Sequence, residues 1–149
     1  MEIQASRFEI LLVEDNPGDV LLTQEAFREG RLAHRLWIAG DGEEALDFLR
    51  KLGKFSNAPR PDLILLDLNL PKRDGRQVLE DLKSDPALRQ IPVVVLTTSE
   101  AEQDVWSAYK HHANCYLTKP IQMDDFLRKM RCVETFWLTV VRLPHEHHW

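Results

Sequence analysis

PDLILLDLNLPKRDG, residues 61–75, decides how the rest of the chain is read. Its apolar run, Leu63 to Leu66, suits a strand buried on both faces, yet it ends on Asp67, followed by Asn69 and a proline-containing turn. A carboxylate at the mouth of a buried strand costs free energy unless a cation or a hydrogen-bond donor meets it. The reading therefore turns on what else the chain can bring to Asp67.

Upstream, FEILLVED (8–15) is a second apolar run ending in acids, and NPGDVLLTQEAFREG opens like a helix, with Asn16 as cap, Pro17 in the first turn and Gly30 as the stop. HRLWIAG reads as a strand, and DGEEALDFLRKL spaces Ala45, Leu46, Leu49 and Leu52 as a helix does. A loop, GKFSNAPRP, leads into the decisive stretch. Downstream, DGRQVLEDLKSD places Val78, Leu79 and Leu82 on one helical face, and IPVVVLTTS is rich in β-branched residues. EAEQDVWSAYKHH reads as a helix, NCYLTKP as a short strand stopped by Pro120, and QMDDFLRKMRCVETFWLTVVRL as a long terminal helix.

Five strands alternating with five helices, the strands apolar without alternation, predict an α/β fold: a doubly wound parallel sheet with helices on both faces. Ligands of such sheets bind beyond the carboxyl ends of the strands, where the strand order reverses. Glu14 and Asp15 end the first strand, Asp67 the third, Thr97 and Thr98 the fourth, and the fifth runs into Lys119 and Pro120. Three carboxylates at one mouth repel by something on the order of several kcal/mol at low effective dielectric. Lys119 supplies one positive charge, and a hard divalent ion such as Mg²⁺, which takes one or two carboxylates and binds phosphate, would supply the rest. A carboxylate can also act as a covalent nucleophile and form an aspartyl-phosphate, with Lys119 and the ion neutralising the transferring oxygens and Thr97 or Thr98 donating to the product.

Composition narrows the alternatives. The chain has 149 residues, enough for one domain, and 44% of them are apolar. With 24 acidic and 19 basic residues its net charge is −5 and no Lys/Arg block stands out, so a nucleic-acid binder is not expected. Cys115 and Cys132 form no C-x-x-C pair, and neither end reads as a signal peptide or a membrane span, which points to a reduced, cytoplasmic protein. The HEHHW terminus, with His145, His147 and His148, is a weak compositional hint of metal binding.

LLVEDN, LILLDLNLPKRDG, VVVLTTS and YLTKP, in that order, resemble the response-regulator receiver domain, with thirty positions from Asp67 to Thr97 and twenty-two from Thr97 to Lys119. The resemblance covers nearly the whole chain, read as a single domain over 1–149 with its core at about 8–142. It implies a flavodoxin-like sheet of order 2-1-3-4-5, Asp67 as phosphoacceptor for a histidine kinase, and Mg²⁺ held by Asp15, Asp67 and the Asn69 carbonyl, with Glu14 acting through water. It further implies that Lys119 contacts the phosphate, that Thr97 and Tyr116 form the switch pair, that Lys119–Pro120 is cis, and that Asn69 and Ser99 occupy positions that tune hydrolysis. RKLGKFSNAPRP, HHANCYLTKP and ETFWLTVVRLP are similar to single-domain regulators of the cyanobacterial phytochrome type, whose kinase senses light.

Each residue alone has a plainer reading: Asp67 as a turn aspartate, Lys119 as a solvated surface lysine, Thr97 as a β-former, Tyr116 as a core aromatic. Other readings of the whole are a receiver serving a non-phytochrome kinase, an aspartate-nucleophile phosphatase of the haloacid dehalogenase type, and a scaffold with the fold but no phosphorylation. The phosphatase requires a second carboxylate two positions beyond Asp67, where Asn69 stands. Fewer than thirty residues follow Pro120, too few for a usual DNA-binding output domain. Near the end, Phe136, Trp137, Leu138, Val140 and Val141 lie almost all round the terminal helix, which predicts a homodimer through it; the alternative is a core helix covered by the LPHEHHW tail.

Overall fold

A computed structural model describes residues 8–30, 32–68, 70, 75–98, 113 and 115–130. The strands are β1 (Phe8–Val13), β2 (His34–Ala39), β3 (Leu63–Asp67), β4 (Val93–Thr97) and β5 (Cys115–Thr118), and the helices are α1 (Pro17–Glu29), α2 (Gly42–Arg50), α3 (Gly75–Ser84) and α4 (Met123–Met130). The strands form one sheet of order β2-β1-β3-β4-β5, with every neighbouring pair parallel. Fold class and strand order are thus as expected. The helix read over EAEQDVWSAYKHH lies outside the described residues. So do Asn69, Ser99, Cys132 and everything after Met130, including Phe136, Trp137, Leu138, Val140, Val141 and the three terminal histidines.

Local chemistry sets the element ends. Asn16 Oδ1 accepts a hydrogen bond from Asp19 N, and Pro17 begins α1, so its missing N–H leaves no helical bond unmade. Asp41 caps α2 by accepting from Glu44 N at 2.8 Å, while the Glu44 carboxylate reaches back to Gly40 N at 2.6 Å. Two backbone donors are satisfied reciprocally, in the manner of a capping box. After α2 the backbone turns left-handed at Lys51 (φ 58°) and Gly53 (φ 57°), and part of the expected loop winds into a 3-10 turn at Gly53–Phe55.

Successive side chains of a strand point to opposite faces, so each apolar strand feeds two cores. Leu11, Val13, Ile64, Leu66, Val93 and Val95 pack with α2 and α3 through Phe48, Leu49, Val78 and Leu82. Ile10, Leu12, Leu63, Leu65, Val94 and Leu96 pack on the other face with Phe27 of α1 and Phe126 and Met130 of α4. The Phe27 and Phe126 rings meet edge to face at 5.0 Å, tying those two helices together. All five residues of β3 and of β4 are buried, which explains why neither strand shows polar alternation.

Candidate functional site

Parallel strands all point the same way, so their carboxyl ends share one rim. Asp67 closes β3, Thr97 closes β4, Glu14 follows β1 directly, and Lys119 stands one residue past β5. The register keeps these ends level: Asp67 lies opposite Leu96, and Thr97 opposite Thr118. Lys119 N donates to Thr97 O at 2.7 Å, and the Lys119–Pro120 bond is cis.

At this rim Glu14, Asp67 and Thr97 are buried polar residues in an otherwise apolar core. The Lys119 ammonium donates to Glu14 Oε1 at 3.2 Å, to Asp67 Oδ1 at 3.2 Å and to Asp19 Oδ2 at 2.9 Å. Three N–H donors therefore meet three carboxylates. Asp19 was not anticipated from the sequence, where it looks like an ordinary first-turn acid of α1. Gly75 is a second unanticipated participant: a Cβ there would lie 3.0 Å from Leu68 O and 3.1 Å from Asp67 O, so the start of α3 approaches the end of β3 more closely than a side chain allows.

One carboxylate oxygen each from Glu14, Asp15 and Asp67 lies within 4.8 Å of the others. Asp15 is exposed, while the other two are buried. Burial, followed by the negative charge of Asp67, pushes the Glu14 carboxyl up to about 7, against the opposing pull of the Asn16 N–H and Lys119. Burial disfavours the Lys119 charge, but its bond to Asp19 and the charges of Asp67 and Glu14 outweigh that and raise its pKa above the ordinary lysine value. The site is thus short of positive charge even with Lys119 in place. A cluster of hard oxygen donors with excess negative charge has the chemistry of a small divalent cation site, and Glu14, Asp15 and Asp67 fit one.

The remaining predicted residues divide. Thr98 is exposed at the rim next to Thr97. Tyr116 is half-buried on β5 against the α2/α3 core, and its carbonyl accepts from Lys129 Nζ at 2.9 Å. Asn69 belongs to the residues not described.

The response regulator receiver domain model matches residues 10–131, which takes in every element above except the first two residues of β1. The chain belongs to the response-regulator receiver family. It is 51% identical over 135 residues to the response regulator Rcp1 of Synechocystis sp., covering 91% of this chain and 92% of that one. A crystal structure of Rcp1 in a Mn²⁺-bound form superposes with a TM-score of 0.68 at 51% identity, covering 87% and 94% of the two chains. The bacteriophytochrome response regulator AtBRR gives a TM-score of 0.83 at 42% identity, over 89% of this chain and 96% of its own. The phosphorylated cyanobacterial phytochrome response regulator RcpA gives 0.71 at 49% identity, over 89% and 95%. This family member is a response regulator of a phosphorelay whose partner is a histidine kinase. Among the described residues no helix is long and apolar enough to cross a membrane.

Proposed function

We propose that Asp67 accepts a phosphoryl group from a phytochrome-type histidine kinase, with Mg²⁺ as the cofactor, and that the chain signals as a single cytoplasmic receiver domain through protein–protein contacts. The observation that carries this is the buried Asp67 carboxylate, held 3.2 Å from the Lys119 ammonium beside Glu14 and Asp15. In the transfer, an Asp67 oxygen forms a bond to phosphorus while the phosphorus bond to the donor's leaving group breaks, and that group departs with the electron pair. Lys119 donates to the phosphoryl oxygens, and Thr97 and Thr98 offer hydroxyl or backbone donors to the product. Asp15, Asp67 and the Asn69 carbonyl would hold Mg²⁺, with Glu14 acting through water. When bound, Mg²⁺ supplies positive charge against the transferring oxygens. The chain is then a stoichiometric acceptor rather than an enzyme acting on a separate substrate, and neither nucleic acid nor membrane is among its partners.

The phytochrome pathway rests on the likeness to Rcp1, RcpA and AtBRR. Phosphorylation replaces the single charge of the Asp67 carboxylate with a phosphoryl group of about two charges, a net gain of about one, and adds strong acceptor oxygens, which draws the Thr97 hydroxyl and leaves room for the Tyr116 ring to turn inward. A homodimer through Phe136, Trp137, Leu138, Val140 and Val141 would carry the output. Light scattering tests it: a chain that stays monomeric at tens of micromolar, phosphorylated or not, ends the dimer reading.

Incubation with a small phosphodonor and Mg²⁺, followed by intact-mass measurement, tests the acceptor. The wild-type chain gains one acid-stable, base-labile phosphoryl group and Asp67→Asn gains none. An Asp67→Asn chain that still gains it refutes the assignment. Transfer profiling against histidine kinases then separates a phytochrome kinase from the others.

A further inference from the structure

We propose that Asp19 is the positioning residue for Lys119, anchoring the ammonium beside Asp67 so that it remains in reach of an arriving phosphoryl group; the inference rests on the phosphoacceptor reading of Asp67. Of the three carboxylates on Lys119 Nζ, Asp19 is the nearest, at 2.9 Å against 3.2 Å for Glu14 and Asp67. The other two also belong to the convergent acid group with Asp15, and Asp19 stands outside it. Any cation drawn to that group competes with Lys119 for Glu14 and Asp67, and its charge repels the ammonium. The bond to Asp19 is the one that this competition leaves intact.

Asp19 is well placed to act as a fixed post. Its N–H donates to the Asn16 side chain at 3.0 Å, and its carbonyl accepts from the buried Thr23 hydroxyl at 2.9 Å. The first turn of α1 is therefore held from both sides. Lys119 has less freedom along its own chain, since its backbone is fixed by the bond to Thr97 O and only the side chain can swing. Tethering such a long, mobile side chain lowers the entropy lost when it engages the phosphoryl oxygens. The plain alternative is that Asp19 serves only α1, as an acid in the first turn favoured by the helix dipole.

Asp19→Asn and Asp19→Ser, each confirmed folded by thermal unfolding, separate the two roles. The first readout is nuclear magnetic resonance of the Lys119 side chain without metal. Loss of slow ammonium proton exchange supports anchoring, and an unchanged Lys119 signal overturns it. The second is binding of beryllofluoride, a phosphoryl analogue, in the presence of Mg²⁺. The variants are expected to bind it about tenfold more weakly, in keeping with loss of a charge-assisted contact. A loss of Mg²⁺ affinity as large as the loss of analogue affinity would place the effect on the metal and overturn the proposal. In a Lys119→Met background Asp19→Asn should have no further effect on analogue binding, so an independent, additive loss also overturns it. A wild-type chain that takes up no analogue overturns both this inference and the phosphoacceptor reading, whereas a responsive wild type with indifferent Asp19 variants overturns this one alone.

Discussion

Glu14→Gln should stabilise the metal-free protein, and by an amount that grows with pH. The Glu14 carboxyl is buried beside Asp67 and titrates at about 7 in the folded chain against a reference value of 4.5. The native state therefore binds this proton more tightly than the unfolded chain, so between those two values stability falls as pH rises. At 1.36 kcal/mol per unit the full loss is about 3 kcal/mol once both states are ionised. Glutamine has the same shape and no charge to desolvate, so the variant escapes that loss. Urea unfolding in chelator at about pH 5 and about pH 8 should show a small difference from wild type at the lower value, rising toward about 3 kcal/mol at the higher. Saturating Mg²⁺ should close the gap, since a cation at one hundred times its Kd returns about 2.7 kcal/mol to the wild-type fold. Stability curves that run parallel with pH, or a Glu14→Gln chain less stable than wild type in chelator at the higher pH, would refute the electrostatic account of this rim.

Other perturbations read different parts of the structure. Gly75→Ala gains helix propensity of about 1 kcal/mol but places a Cβ against two carbonyl oxygens of the β3 end, so a net loss of about 1 kcal/mol is expected by thermal unfolding, with shifted amide resonances at Asp67 and Leu68. A more stable variant with unmoved resonances would contradict the close approach. Asp41→Ala removes the acceptor for Glu44 N and should cost about 1 kcal/mol in denaturant unfolding; no loss would mean that Gly40 and Glu44 suffice as a cap. Addition of beryllofluoride with Mg²⁺ should move the Tyr116 ring resonances in wild type and much less in Thr97→Ala, and unchanged ring signals in wild type would remove the switch role.

Asp67 could be found from sequence because its cost is local: a carboxylate closing five buried positions is conspicuous wherever the rest of the chain goes. Lys119 and Glu14 followed from the rule that parallel strands share a rim, and the structure does bring both to Asp67. Asp19 was hidden because its sequence signal, an acid in a capped first turn, is what any helix start shows. Only the reach of the Lys119 side chain, one residue past β5, to the first turn of α1 gives it a lysine one hundred positions away. The division of β3 and β4 between two cores was equally hidden, since an unbroken apolar run does not say which residue faces which helix layer. The 3-10 turn after α2 depends on Lys51 taking a left-handed conformation, which its residue type does not announce.

The span of the Lys119 contacts bears on the order in which the molecule is made. Its bonds reach back 100 residues to Asp19 and 105 to Glu14, and all four strand pairings are parallel, so no part of the rim forms by local hairpin closure. Loop-closure entropy is paid before such contacts return anything, which makes them late events in folding. A nascent chain that has emerged only as far as β4 carries Glu14, Asp15, Asp19 and Asp67 without the ammonium that holds three of them. During synthesis the acid rim is thus a source of repulsion, and β5 with Lys119 is the piece that turns it into a lock. Mutations at the Lys119 contacts should accordingly speed unfolding while leaving the folding rate nearly unchanged, and a folding rate that falls in step with stability would show that the rim assembles early.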